Sequence, residues 1–266
     1  MRKFDFHTHF FPSTIAHKTI SHLSNVSGLT PECEGTLDAL VSQMDSYGVE
    51  KSLLLPIATN AKQQENVNNF AIDVNGYQNK IMSFGSVYPQ SDSSITTLKY
   101  LISNGIKGIK LHPEYQEFEA DDKKIYSIYE FCQKRNLIIS FHCGKDLAFP
   151  TRCNCSPKMI KTIAKDFPEL KIVAAHLGGW DMWTNVLEYL CGLKNVWLDT
   201  AFISSYIEPA LFLNIIEQHG IDKILFGTDS PWSNCAKESE LIDSIGFSQN
   251  DLEKIYYKNA ETLLGL

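Results

Sequence analysis

The chain has 266 residues, 44% of them apolar and 21% charged, ordinary proportions for a globular protein that can bury a sizeable core. A formal charge of -7 with no basic cluster argues against broad electrostatic binding to nucleic acid or to an anionic membrane. No apolar run approaches transmembrane length and no signal peptide is read before the first strand, so a cytoplasmic location is expected.

In chain order, the first expected strand is Lys3–Phe10, and it holds His7 and His9. Residues two apart in a strand point to the same side. Two imidazoles there, in place of Val or Leu, suit a divalent metal. Further strands are expected at Lys51–Ile57, Ile81–Val87, Gly108–His112, Leu137–His142, Lys171–His176, Val196–Thr200 and Lys223–Asp229. Between them, helical periodicity runs through Thr36–Tyr47, Glu65–Tyr77, Ser94–Ser103, Asp121–Lys134, Pro157–Asp166, Asp181–Cys191 and Glu208–Gln218, with a last helix in Ser248–Leu264. Runs such as Ser52-Leu53-Leu54-Leu55 are apolar throughout, as in parallel strands buried on both faces. Eight strand–helix cycles in one domain, residues 1–266, predict an α/β protein of the (β/α)8 TIM-barrel type. A doubly wound sheet would place a glycine-rich phosphate turn after strand one, where this chain has His-Thr-His-Phe-Phe-Pro.

Two long connections, about Phe11–Gly35 and Cys143–Ser156, follow strands and so stand over the C-terminal face of the barrel, where active sites lie. The seven cysteines are an odd, scattered set that fits a reduced protein better than a disulfide framework. Cys153 and Cys155 read as loop thiols.

Polar residues collect at the strand ends: His7 and His9 on strand one, Lys110 and His112 on four, His142 on five, His176 on six and Asp229 on eight. One buried histidine is ordinary; five with a lysine and an aspartate on one rim ask for chemistry. Catalytic zinc keeps about three protein ligands and an open position, and lowers the pKa of bound water towards about 7. A carboxylate beside it moves protons, and a histidine off the metal steadies charge. His17, His22 and His219 fall in loop or helix contexts, and His219, before Gly220, reads as a helix C-terminal residue favoured by the macrodipole.

The motifs Asp-Phe-His7-Thr-His9, Gly-Ile-Lys110-Leu-His112-Pro, Phe-His142-Cys-Gly, Ala-His176-Leu-Gly-Gly and Phe-Gly-Thr-Asp229-Ser-Pro-Trp, with Asn259-Ala-Glu-Thr-Leu-Leu-Gly at the end, together resemble the amidohydrolase superfamily. In detail they resemble its amidohydrolase-related branch, which includes aminocarboxymuconate-semialdehyde decarboxylase. That resemblance implies a metal held by His7, His9, His142 and Asp229, zinc being the expected ion, with Asp229 and His176 as catalytic residues. In binuclear relatives a carbamylated strand-four lysine bridges two ions; Lys110 would then be that bridge and His142 and His176 would serve the second ion. A single ion is the favoured reading, with Lys110 and His112 facing a small-molecule substrate.

Phe11, Arg152, Trp180 and Trp232 are substrate-binding candidates because each follows a motif closely or lies in a long top loop. Asp199, ending strand seven, reads as a support for a ligand or as a helix cap. The leading function is a metal-dependent hydrolase of an amide, cyclic amide, ester or lactone. The alternative is a non-oxidative decarboxylase of an unsaturated or aromatic carboxylic acid, and a third reading is an inactive metal-binding barrel. Self-association is left open by the sequence.

Overall fold

A computed structural model describes every residue from Met1 to Leu266. Eight strands follow in order: β1 Phe4–Thr8, β2 Lys51–Leu54, β3 Ile81–Ser83, β4 Gly108–Leu111, β5 Ile138–Phe141, β6 Lys171–Ala174, β7 Val196–Asp199 and β8 Ile224–Leu225. All pair in parallel with their sequence neighbours, in runs β1–β3 and β4–β8. Backbone bonds beyond the regular ladders close the ring. Gly85 N–H donates to Gly108 O (2.9 Å) and Lys110 N–H to Gly85 O (2.8 Å), while Phe6 N–H reaches Phe226 O and Asp229 N–H reaches His7 O, both at 2.8 Å. The barrel expected from the β-α rhythm is present.

The helices are α1 Ser13–Ser27, α2 Leu37–Tyr47, α3 Gln64–Val74, α4 Ser94–Ser103, α5 Tyr126–Lys134, α6 Pro157–Asp166, α7 Trp183–Tyr189, α8 Pro209–His219, α9 Cys235–Ser244, α10 Gln249–Glu253 and α11 Asn259–Leu264. Several have legible ends. Thr36 caps α2 by accepting from Ala39 N–H, and Gly48 stops it in the left-handed region; Ser156 caps α6 ahead of Pro157. Two helices differ from expectation. The connection after β1, read as a loop, contains α1, and α9 was not read at all. Helix α1 begins at Pro12 without a side-chain cap and buries only Ala16 and Ile20, so its apolar stripe is too narrow to announce a helix.

The strands end earlier than the apolar runs suggested, which leaves the site residues on or just past the strand tips. In β1 the register with β2 slips between Asp5 and Thr8, a bulge that inserts one residue and turns the side chains after it. Phe4 and Phe6 join Leu53, Val173 and Leu225 in the barrel floor, which Ala260, Leu263 and Leu264 of α11 plug from beneath. His7 and His9 face the cavity at the top. A larger apolar cluster fills the space between the barrel and its helices.

Candidate metal centre

His7, His9 and Asp229 bring one ligand atom each into a single cluster. His7 Nε2 lies 3.1 Å from His9 Nε2 and 3.3 Å from Asp229 Oδ1, and His9 Nε2 lies 3.1 Å from Asp229 Oδ1. A tetrahedral ion with bonds of about 2.0–2.1 Å separates its ligand atoms by about 3.3 Å.

The protons give the same answer. His7 Nδ1 faces Asp199 Oδ2 at 2.9 Å and His9 Nδ1 faces Leu55 O at 2.7 Å. Both acceptors require the imidazole proton on Nδ1. Each Nε2 is therefore a bare lone pair, aimed at the other and at a carboxylate oxygen. Three acceptors converging in a buried space call for a cation, and their nitrogen and oxygen chemistry suits a divalent metal. Asp199 also accepts the backbone N–H groups of His176 (2.8 Å) and Ala201 (3.2 Å), so it fixes the ring of His7 and caps no helix. Burial pushes Asp199 up to about 7.

His176 and Asp229 are held in the left-handed region, at φ 59° and 62°, where non-glycine residues are uncommon and strain is stored. Strict alternation along β6 would send His176 outward, since Val173 and Ala175 share the inward parity; the left-handed turn brings its ring into the cavity instead. Gly227 makes a related fit, because a Cβ there would stand 3.0 Å from His7 Cβ.

His142, the fourth ligand that the resemblance implied, does not join this cluster. Its Nδ1 lies 3.1 Å from His176 Nε2, and its Nε2 lies 3.3 Å from Lys145 O. His176 Nδ1 faces Ala201 O at 2.9 Å, so its Nε2 is bare and accepts. If the shorter contact takes the His142 proton, His142 Nε2 is left as a bare acceptor facing Lys145 O and Asp146 Oδ2; if Nε2 donates to Lys145 O, Nδ1 and His176 Nε2 are two bare lone pairs facing each other. Burial lowers His7 and His142 well below the usual histidine range and His176 to about 4, so all three rings are neutral at neutral pH.

Lys110 is fully buried, and its Nζ sits 3.2 Å from His7 Nε2. Burial pushes it down to about 8, with Asp199 and Asp229 opposing. Beside it, His112 stacks on His142 with ring centroids 4.1 Å apart and planes 10° apart. His112 Nε2 meets Asp146 Oδ2 at 3.2 Å, while Nδ1 faces Glu114 Oε2 at 3.6 Å. His112, His142 and Asp146 also cluster closely enough for a metal. The stacking speaks against one: rings in parallel planes cannot both aim their in-plane lone pairs at one ion.

The cavity over these groups holds about 970 Å3 and is lined by every substrate-binding candidate: Phe11, Lys110, His112, Arg152, Trp180 and Trp232. Arg152 donates to Glu114 O at 2.7 Å and lies over the ring of Phe149 at 4.3 Å. Gly144 lets the β5 loop press against Trp180, since a Cβ there would stand 2.1 Å from Trp180 N. Asp146, Glu114, Tyr115 and Phe149 also line the cavity and were not read from the sequence; the only signal was the length of the loop that carries Asp146 and Phe149. His22 lines the cavity edge, and Cys153 and Cys155 are free thiols.

An amidohydrolase family model matches residues 4–266. The chain belongs to the amidohydrolase family. No curated protein matches it. Solved structures similar to it include an uncharacterised TIM-barrel protein from Bordetella bronchiseptica, at 19% identity and TM-score 0.84, covering 100% of this chain and 99% of that one. A 2,6-dihydroxybenzoate decarboxylase from Rhizobium follows at 16% identity and TM-score 0.75, covering 100% and 99%. A dihydroxybenzoic acid decarboxylase from Polaromonas, with bound manganese and the inhibitor 2-nitroresorcinol, has 16% identity and TM-score 0.75, covering 99% and 97%. At these identities the likeness establishes the barrel fold. No helix is long and apolar enough to cross a membrane.

Proposed function

We propose that this amidohydrolase-family enzyme is a metal-dependent, non-oxidative decarboxylase of a small unsaturated or aromatic carboxylic acid. The observation that carries the reading is Lys110. It is a buried cation on the cavity wall whose one side-chain partner within hydrogen-bond distance is a histidine nitrogen; Asp199 and Asp229 favour its charge from a distance, but no carboxylate pairs with it directly. A buried charge is costly without a partner, and a divalent ion beside it would deepen the positive field. An anionic substrate supplies the missing direct partner; a neutral amide, ester or lactone does not. The decarboxylases among the similar solved structures support the same choice.

His7, His9 and Asp229 would hold the ion, which when bound supplies Lewis-acid polarisation of a substrate oxygen. Zinc and manganese both suit two imidazoles and a carboxylate. Lys110 binds and orients the carboxylate. Loss of carbon dioxide leaves an electron pair on carbon that must be protonated there, and Asp229 and His176, which line the cavity with acceptor atoms, are the groups placed to take up a proton from the substrate's own acidic group or from solvent and relay it to that carbon. Trp180, Trp232 and Phe11 exclude water from the carbanionic centre.

The test is a panel of unsaturated and aromatic carboxylic acids incubated with protein loaded with manganese or zinc, followed for carbon dioxide release. Lys110→Met should keep the metal and raise KM for the turned-over acid at least tenfold. Hydrolysis of neutral amides or lactones with no carbon dioxide from any acid would replace this reading with the hydrolase. Loss of metal in Lys110→Met, restored by a short carboxylic acid in the buffer, would instead make Lys110 a carbamylated bridge.

A further inference from the structure

The cavity is larger than one ring and one carboxylate need. At about 970 Å3 it stands at the upper end of the roughly 300–1,000 Å3 typical of sites for drug-sized ligands. Its extra space has a direction. Both walls of that extension spring from the residues that hold His9. Chain continues from His9 through Phe10 and Phe11 straight into α1, and the backbone oxygen that fixes the His9 ring belongs to Leu55, which leads through Pro56 and Ile57 towards α3.

Apolar side chains face each other across this extension, with Thr19, His22 and Ser27 of α1 among them. Helix α1 buries only Ala16 and Ile20, while Ile15, Thr19 and Leu23, spaced four residues apart, line the cavity. Residues at that spacing stack along one face of a helix. From the other wall Val67 and Phe70 of α3, again on one face, line the same space. Ile15 is 49% exposed, and Leu23, Val67 and Phe70 are half-buried. Apolar side chains left partly open around a common space mark a ligand groove. Polar Asn60, Lys62, Gln63 and Asn66 also line the cavity from the β2–α3 wall.

We infer that the substrate is an amphipathic acid: its carboxylate sits at the Lys110 end, and an apolar tail runs outward between α1 and α3. The inference rests on the anionic-substrate reading and adds the tail. From Ile15 to Leu23 the helix rises about 12 Å, room for a medium-length chain. Each methylene taken from water into the groove contributes about 0.8 kcal/mol, or about fourfold in affinity.

The experiment is calorimetric titration of straight-chain carboxylic acids, from butanoate to decanoate, into the metal-loaded full chain. Kd should fall about fourfold per methylene until the groove is filled. Leu23→Gln with Val67→Gln should flatten that slope and leave butanoate affinity within about twofold. Thr19→Trp, which fills the groove without removing any apolar contact, should do the same and covers a double variant that fails to fold. A Kd independent of chain length, or a full slope retained in a folded variant, overturns the groove. A slope in binding with no carbon dioxide from any acid leaves the groove standing and removes the decarboxylase; carbon dioxide release without a slope does the reverse.

Discussion

The inside of this barrel has two storeys built on the same strands, and they obey opposite rules. The floor is Phe4, Phe6, Leu53, Val173 and Leu225 over Leu263 and Leu264, apolar throughout. Directly above it, His7, Lys110, His142, His176 and Asp199 are buried to within a few per cent of completely, yet every one carries a polar or charged group. Burial alone therefore does not separate core from site. What separates them is whether a buried group is served by its neighbours. The floor needs nothing; the upper storey sets the lone pairs of His7 and His9 against one another, and its ammonium on Lys110 meets a histidine nitrogen but no carboxylate directly. That is the mark of a place built to receive ions and an anionic ligand.

The largest effects should come from breaking the upper storey. Replacing both His7 and His9 by Ala removes two of the three clustered ligand atoms, so elemental analysis should find the divalent ion gone and turnover abolished. Thermal unfolding compared in the metal-free state should show no large loss, because the variant also removes two lone pairs that face each other. Full metal occupancy in that protein would mean the cluster is not the metal centre.

Breaking the floor should do the reverse. Phe6 is fully buried and meets Phe84 edge-on at 6.0 Å. Phe6→Ala should cost about 3–5 kcal/mol of stability, read as a shift of the urea midpoint, while metal content per folded molecule stays at the wild-type value. Because Phe6 and His7 are chain neighbours within the irregular stretch between Asp5 and Thr8, the pair of experiments also tests how independently the two storeys behave. Metal loss in folded Phe6→Ala would show that the bulge, and not the ligands alone, sets the site.

These two storeys were unequally legible. Eight strands and their order could be read because parallel strands are continuous apolar runs, and the rim was readable because histidine and aspartate are rare at the ends of such runs. The bulge was not readable. Phe6 and His7 are consecutive, and an unbroken strand would put them on opposite faces; only pairing with β2 shows the slipped register. The left-handed turn at His176 was hidden for a similar reason, since a strained φ is imposed by surroundings and not by residue type. Helix α1 was lost because a wall of a cavity needs no broad apolar stripe. His142 shows a further limit: the motif places it at the strand tip, but the direction of its two nitrogens depends on His176 and Lys145.

His219 sharpens the comparison from outside the barrel. Its position at the end of α8, before Gly220, is the one expected, but the charge is not. The ring is buried, Nε2 donates to Val196 O at 3.1 Å, and Nδ1 has no partner. Burial lowers it from the usual 6.5 to about 4, so it is neutral at neutral pH and the macrodipole gains nothing from it. His7, His142 and His176 are neutral as well, but theirs is a neutrality on the cavity side, open to a ligand, whereas that of His219 only serves packing. The consequence is a stability effect of definite sign. Between about pH 6.5 and 4 the unfolded chain binds a proton here that the native chain does not, so the contribution of His219 is complete above about 6.5 and is lost as pH falls towards 4. At pH 5 the loss is on the order of 2 kcal/mol. His219→Gln can keep the bond to Val196 O and cannot titrate. Urea unfolding of both proteins at pH 7 and pH 5, in the same metal state, cancels the contribution of the rim. Wild type should lose more stability than the variant over that interval; equal losses would mean that His219 is protonated in the folded protein, and that the helix end does hold a charge.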